Sequence, residues 1–215
     1  MSEGDSLSSV LERRAGRARG SVRFLGLRED EEPIAFSRFA EEAGRVGAGL
    51  RARGLKPGAL LGLMVRSDMN FARVFLGAVA AGVVPVPLYP PASLKRIDHY
   101  LDNLRGVLAV LGLDAVVVAP EVRPVLELVK REGLRGVRVL DLDEVTRATE
   151  DPIFHRAAPD ELAFIQCTSG STSVPKPVMI RHENVLANLD ALGQQGGDGE
   201  GDAMCLWLPM YHDMG

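Results

Sequence analysis

The chain has 215 residues, 46% of them hydrophobic and 5% aromatic; at about 150 residues per domain this is one or two domains with ample core, which excludes a disulfide-stapled miniprotein. The formal net charge is −4 and no basic tract rich in aromatics appears, which argues against a nucleic-acid partner. Cys167 and Cys205 form neither a metal framework nor a disulfide pattern, the longest apolar runs (Ala59–Val65 and Ala78–Leu88) are too short or too broken by proline to cross a bilayer, and Met1–Gly20 has no apolar signal core, so a cytoplasmic protein without stable membrane insertion is expected.

In chain order, residues 1–32 are polar and Arg-rich without a clear period, and are expected to be loosely structured, with Met1–Ser9 a loose terminus. A first α/β subdomain is expected over 33–150. Ser37 can cap a helix whose apolar positions Phe39, Ala43, Val46 and Leu50 recur at helical spacing. Gly54 and Lys56-Pro57-Gly58 end it, and Ala59–Val65 reads as a strand buried on both faces. Ser67 can cap a second helix running to Ala81. Val83–Pro87 is extended, and its two prolines bar it from the middle of a hydrogen-bonded ladder. Ser93 can open a third helix with Ile97, Leu101, Leu104, Leu108 and Leu111 on one face. Asp114–Ala119 then reads as a strand, Glu121–Glu132 as a helix and Val137–Asp141 as a strand. Alternation at this spacing predicts an α/β fold: doubly wound, mostly parallel sheets with helices on both faces. Glu150–Pro159 is the best linker, and a second region follows over 160–215. There Ala163–Cys167 and Met204–Leu208 read as strands, and the glycine-rich 193–201 stretch as a surface loop.

Such a sheet binds ligands at the carboxyl ends of its strands, so the loops leaving the late strands carry the interest. The first is Thr168-Ser169-Gly170-Ser171-Thr172-Ser173-Val174-Pro175-Lys176. Its hydroxyls and N–H groups can donate to phosphate oxygens, Gly170 permits close backbone approach, and Lys176 adds a cation. With only Lys56, Lys95, Lys130 and Lys176 among 25 basic residues, a lysine placed here is informative. It is not a Walker A motif, because the second glycine is absent and Pro177 follows the lysine. On composition alone an ordinary Ser/Thr-rich turn remains open. The second loop, Pro209-Met210-Tyr211-His212-Asp213-Met214-Gly215, contains a His-Asp pair that could be a general base, a metal ligand or a surface turn; taken alone, such a pair is usually structural. Elsewhere, Leu186 breaks the H-E-x-x-H pattern begun at His182, no G-x-S-x-G elbow exists, and His99 and His155 read as packed or surface residues.

The stretch from Thr168 to Lys176 resembles the phosphate loop of the adenylate-forming superfamily, which includes acyl-CoA synthetases, nonribosomal-peptide adenylation domains and luciferases. Ser173 and Pro177 stand where that family commonly has glycine. Val178-Met179-Ile180-x-His182-x-Asn184 is similar to the family's continuation. Trp207-Leu208-Pro209-x-Tyr211-His212-Asp213-Met214-Gly215 and Val84–Pro91 are most similar to the fatty acyl-AMP ligase branch, and the resemblance spans about Ile34 to Gly215.

The resemblance implies activation of a fatty acid with ATP and Mg2+ to acyl-adenylate and pyrophosphate. The acyl group then passes to an acyl carrier protein, or to coenzyme A in the synthetase branch; a remnant that only holds nucleotide or a partner is the third reading. It implies that Thr168, Ser169, Gly170, Ser171, Thr172 and Lys176 bind the triphosphate and that Thr172 lies near the metal. His212 is placed by the reacting carboxylate, with Lys176 as the second catalytic group, and Trp207, Tyr211, His212 and Asp213 border the acyl substrate. Members of the family run well beyond the Gly215 loop, so a truncated N-terminal portion, inactive by itself and exposing an unpaired strand edge, is expected.

Overall fold

A computed structural model describes residues 4–17, 19–25, 32–88, 97–123, 136–168, 176–196, 201 and 203–212. Helix α1 (Leu7–Arg17) lies within the N-terminal stretch that reads as loose from sequence. Its buried Leu11 packs against Val79 and Ala80, so a short apolar stripe suffices to dock it. Two short strands, β1 (Ser21–Val22) and β2 (Ile34–Ala35), pair antiparallel and lead into helix α2 (Phe36–Ala52).

In α2 the predicted positions Phe39, Ala43, Val46 and Leu50 are all buried. Ser37 is not the cap: Ala35 holds that position, without a side-chain hydrogen bond. Strand β3 (Leu60–Met64) follows, then helix α3 (Met69–Ala80). Here Asp68, not Ser67, is the cap, and its carboxylate accepts from the N–H groups of Asn70 (2.9 Å) and Phe71 (3.1 Å). Helices α2 and α3 meet at glycine. A Cβ on Gly77 would stand 2.6 Å from Val46 Cγ1, and one on Gly47 would stand 2.8 Å from the Gly77 carbonyl oxygen.

Strand β4 (Val84–Pro87), helix α4 (Ile97–Val110), strand β5 (Ala115–Val118), a 3-10 turn at Pro120–Val122, strand β6 (Arg138–Asp141) and helix α5 (Leu142–Thr146) complete this region. On α4, Leu101 and Leu104 are buried and Leu108 is half-buried, and Leu111, just beyond its end, is buried as well. Ser93 and most of the expected Glu121–Glu132 helix lie outside the described residues. The four strands form a parallel sheet in the order β4-β3-β5-β6. The chain moves one way from β3 to β4 and the other way from β4 to β5, so right-handed crossovers set α3 and α4 on opposite faces. This is the doubly wound arrangement expected. The direction of winding reverses between β3 and β5, and the loops leaving their carboxyl ends frame a crevice.

Along β4, the amides of Val84 and Leu88 donate to the carbonyl oxygens of Ala59 (2.9 Å) and Leu63 (3.0 Å) of the β3 side. The alternating residues Pro85 and Pro87 therefore face the other way, where no donor is available. Strand β7 (Leu162–Thr168) lies alongside that edge and contributes Ile165 and Cys167 to the same core. It pairs antiparallel with β8 (Lys176–Arg181), and helix α6 (His182–Gly196) follows. The segment between the regions is not a loose linker. Ile153 N donates to Gly44 O (3.2 Å) and His155 N to Ala80 O (2.6 Å), which straps Glu150–Pro159 across α2 and α3. The Met204–Leu208 stretch forms no strand; Met204, Leu206 and Trp207 are exposed.

Candidate functional site

The late loops sit where strand chemistry puts them. Strand β7 alternates: Ala163, Ile165 and Cys167 are buried, while Phe164 turns to the other side and meets the Phe75 ring edge-on at 5.4 Å. Its last residue, Thr168, faces the first residue of β8, Lys176, across the mouth of the hairpin, and the Thr168 hydroxyl donates to the Lys176 carbonyl oxygen at 3.4 Å. The hydroxyl-rich loop is thus closed at its base by a ladder pair, with the lysine at its exit and exposed. The Cys167 thiol is raised above the usual thiol range by burial, which keeps it protonated and unreactive.

Gln166 is a polar residue in this apolar strand and only 6% exposed. Its side-chain amide donates to the carbonyl oxygens of Tyr211 (3.1 Å) and Cys167 (3.4 Å). Buried amides need such partners, and here one partner is the second loop of interest. That loop makes a tight turn, with His212 N donating to Pro209 O at 2.9 Å, and Met210 and Tyr211 pack against the main core. On its other side, Met210 N donates to the Ser67 hydroxyl at 2.9 Å, in the turn leaving β3. The loop therefore lies at the carboxyl end of β3, beside the point where the winding reverses. Ser67 is available for this contact because Asp68 caps α3.

A family model described as AMP-binding enzyme matches residues 11–215. The chain belongs to that family.

Within the AMP-binding enzymes, it is 32% identical over 194 residues to a long-chain-fatty-acid AMP ligase of Mycobacterium marinum, covering 86% of this chain and 29% of the relative. It is 28% identical over 225 residues to the corresponding ligase of Mycolicibacterium smegmatis, covering 99% of this chain and 35% of the relative. Among solved structures, a chain from work on the fatty acyl-adenylate ligases of E. coli and L. pneumophila superposes with a TM-score of 0.87 at 29% identity, covering 97% of this chain and 38% of that one. The L. pneumophila ligase in complex with acyl adenylate and pyrophosphate gives 0.82 at 28% identity, covering 97% and 36%. The chain thus spans about a third of the length of the relatives it matches.

Of the residues singled out from sequence, Thr168 and Lys176 stand at the two ends of the hairpin loop, and Tyr211 and His212 are half-buried in the second loop. Ser169, Gly170, Ser171, Thr172 and Asp213 lie outside the described residues. Trp207 is 86% exposed. Among the described residues, no group of three or more His, Cys, Asp or Glu side chains gathers to hold a metal. Sequence reasoning missed Gln166 and Ser67. The signal for Gln166 was there: an amide side chain between Ile165 and Cys167 must find partners in a buried strand. Ser67 gave none beyond its capping propensity.

Proposed function

We propose that this chain carries the triphosphate-gripping part of a fatty acyl-AMP ligase. A carboxylate is a poor acyl donor, and joining it to AMP makes it a good one. The carboxylate oxygen attacks the α-phosphorus of ATP in line, the bond from that phosphorus to the bridging oxygen breaks, and pyrophosphate leaves with the electron pair. Such a step depends on positioning and charge stabilisation more than on covalent help.

The β- and γ-phosphates rest in the loop from Thr168 to Lys176. Ser169, Gly170 and Ser171 present hydroxyl and backbone donors, and the Lys176 ammonium balances the charge. The hard hydroxyl oxygen of Thr172 would suit a magnesium ion, which would supply further charge neutralisation at those phosphates. His212 stands by the reacting carboxylate, with Trp207, Tyr211 and Asp213 bordering the acyl chain. The acceptor is the pantetheine thiol of an acyl carrier protein, in the cytoplasm, a reducing compartment that suits Cys167 and Cys205, neither of which is in a disulfide.

One observation carries this reading. The strand that ends in the hydroxyl loop also holds, through Gln166, the loop bearing His212, so the grip for the nucleotide and the group assigned to the carboxylate share a support. The similarity to ligases whose names specify fatty acid and AMP supplies the substrate class.

The test is ATP–pyrophosphate exchange across a fatty-acid series by the natural polypeptide containing this sequence, with and without coenzyme A. Exchange with accumulation of acyl-adenylate and no acyl-CoA is expected. Lys176→Ala lowers the rate by about 10²-fold or more, the usual cost of removing a charge-stabilising donor. Undiminished exchange by a Lys176→Ala, Thr172→Ala double variant would overturn the reading.

A further inference from the structure

The proposed reaction needs the carboxylate and the α-phosphorus held in line, and the two loops assigned to them are far apart in sequence. The strand that ends at Thr168 is tied directly to Tyr211: the Gln166 side-chain amide donates to the Tyr211 carbonyl oxygen, at 3.1 Å. The amide's orientation is fixed by chemistry, because both atoms facing its nitrogen are carbonyl oxygens, of Tyr211 and Cys167, and only a donor fits there. One residue before Tyr211, the Met210 N–H is held from the opposite side by the Ser67 hydroxyl at 2.9 Å. Consecutive residues of the turn are thus gripped from the carboxyl ends of two different strands, β7 and β3.

We infer that Gln166 and Ser67 are positioning residues, which fix the turn bearing His212 relative to the triphosphate loop. The inference rests on the function proposed above and adds to it a pair of residues that touch neither ATP nor fatty acid. Gln166 lies two residues before Thr168 on a strand buried against the main core, so a shift of the turn cannot be absorbed by β7. Ser67 is exposed and caps nothing, so its only described role is the bond to Met210. Reaction rates are steep in this coordinate: a misplacement of about 1 Å can cost on the order of 10²-fold.

Ser67 provides the clean experiment, because its replacement leaves the core and the α3 cap intact. Amide hydrogen exchange on the 215-residue chain reads the clamp without any catalysis. Protection of the Met210 N–H is lost in Ser67→Ala and retained in Ser67→Thr, which keeps the hydroxyl. The natural polypeptide containing the same changes reads positioning. In Ser67→Ala, kcat for ATP–pyrophosphate exchange falls about tenfold, part of the range available to misplacement, while KM for ATP stays within about twofold because the phosphate loop is untouched. Ser67→Thr restores kcat. Gln166→Leu, which fills the space but donates nothing, shows the same split.

Unchanged Met210 protection in Ser67→Ala overturns the clamp. Lost protection with unchanged kcat overturns the positioning role while leaving the proposed function standing. If the unsubstituted polypeptide forms no acyl-adenylate, the proposed function fails and the positioning role with it, although the exchange result still decides the clamp.

Discussion

The parallel sheet and the β7–β8 region use similar residues to opposite ends. In the sheet, Leu61, Leu63, Val86, Val116 and Val117 are wholly buried, and the central strands β3 and β5 have a paired strand on either side. In β8, Val178 and Met179 are 44% and 69% exposed, and Met204, Leu206 and Trp207 are exposed as well. The apolar side chains are comparable; what differs is whether they meet partners among the described residues. Burial is a property of tertiary surroundings, and a strand-like composition alone does not secure it.

Pairing equivalent truncations breaks the comparison most sharply. Leu63→Ala removes contacts from a closed core and should cost about 2–5 kcal/mol. Its partner on the open side, Met179→Ala, should fall within about 0.5 kcal/mol. Urea midpoints of the two variants measure the difference, and a large loss at Met179 would show that β8 is covered in solution. Next in size is Gly77→Ala. Its added methyl would enter Val46 and the Ala43 carbonyl oxygen, at 2.6 and 2.9 Å. Overpacking of about 1–3 kcal/mol exceeds the gain of about 1 kcal/mol in helix propensity, so the variant should be destabilised despite being the better helix former.

A smaller effect separates two neighbouring residues. Asp68→Ala should cost about 1 kcal/mol through loss of the α3 cap. Ser67→Ala should cost less than about 0.5 kcal/mol, as expected of a surface change away from such features. Thermal unfolding of both variants checks the ranking.

The last effect depends on pH. His182 is 2% exposed, and its Nδ1 accepts from the N–H of Leu7 at the start of α1 (3.1 Å). Burial holds its pKa below the ordinary value of 6.5; the Glu161 carboxylate pulls it back up, and His155 pushes it further down. The unfolded chain therefore takes up the proton first. The stabilisation is complete above about 6.5 and is lost as pH falls below it towards the folded value. A His182→Gln variant, with an acceptor that does not titrate, should flatten that slope in denaturation midpoints taken from pH 7 downwards. An unchanged slope would remove His182 as its source.

The difference between the regions also explains what could be read from the sequence. Helix α2 was legible because Phe39, Ala43, Val46 and Leu50 recur at its period, and β3 and β5 because each is a short apolar run that follows a stretch of helical period. The hydroxyl-rich loop proposed to hold phosphate stands out in the sequence because its chemistry is local. Helix α1 was obscured because polar residues share its burial: Ser8 within it and Ser6 just before it are as buried as Leu11. Met204–Leu208 has the composition of a strand, but a strand requires a neighbour, which composition does not specify. The α3 cap was misassigned by one residue because Ser67 and Asp68 have equal local claims. The decision came from Met210, far along the chain, whose amide takes the serine hydroxyl.

The prolines of β4 have a thermal consequence. Because Pro85 and Pro87 offer no amide hydrogen to their outer side, the seam between β4 and β7 depends on side-chain contact among residues such as Val84, Val86, Ile165 and Cys167. Apolar contact weakens towards freezing, whereas the amide ladder from β3 to β5 does not share that dependence. In the cold, this join should loosen first, leaving the parallel sheet whole and the hairpin free to swing.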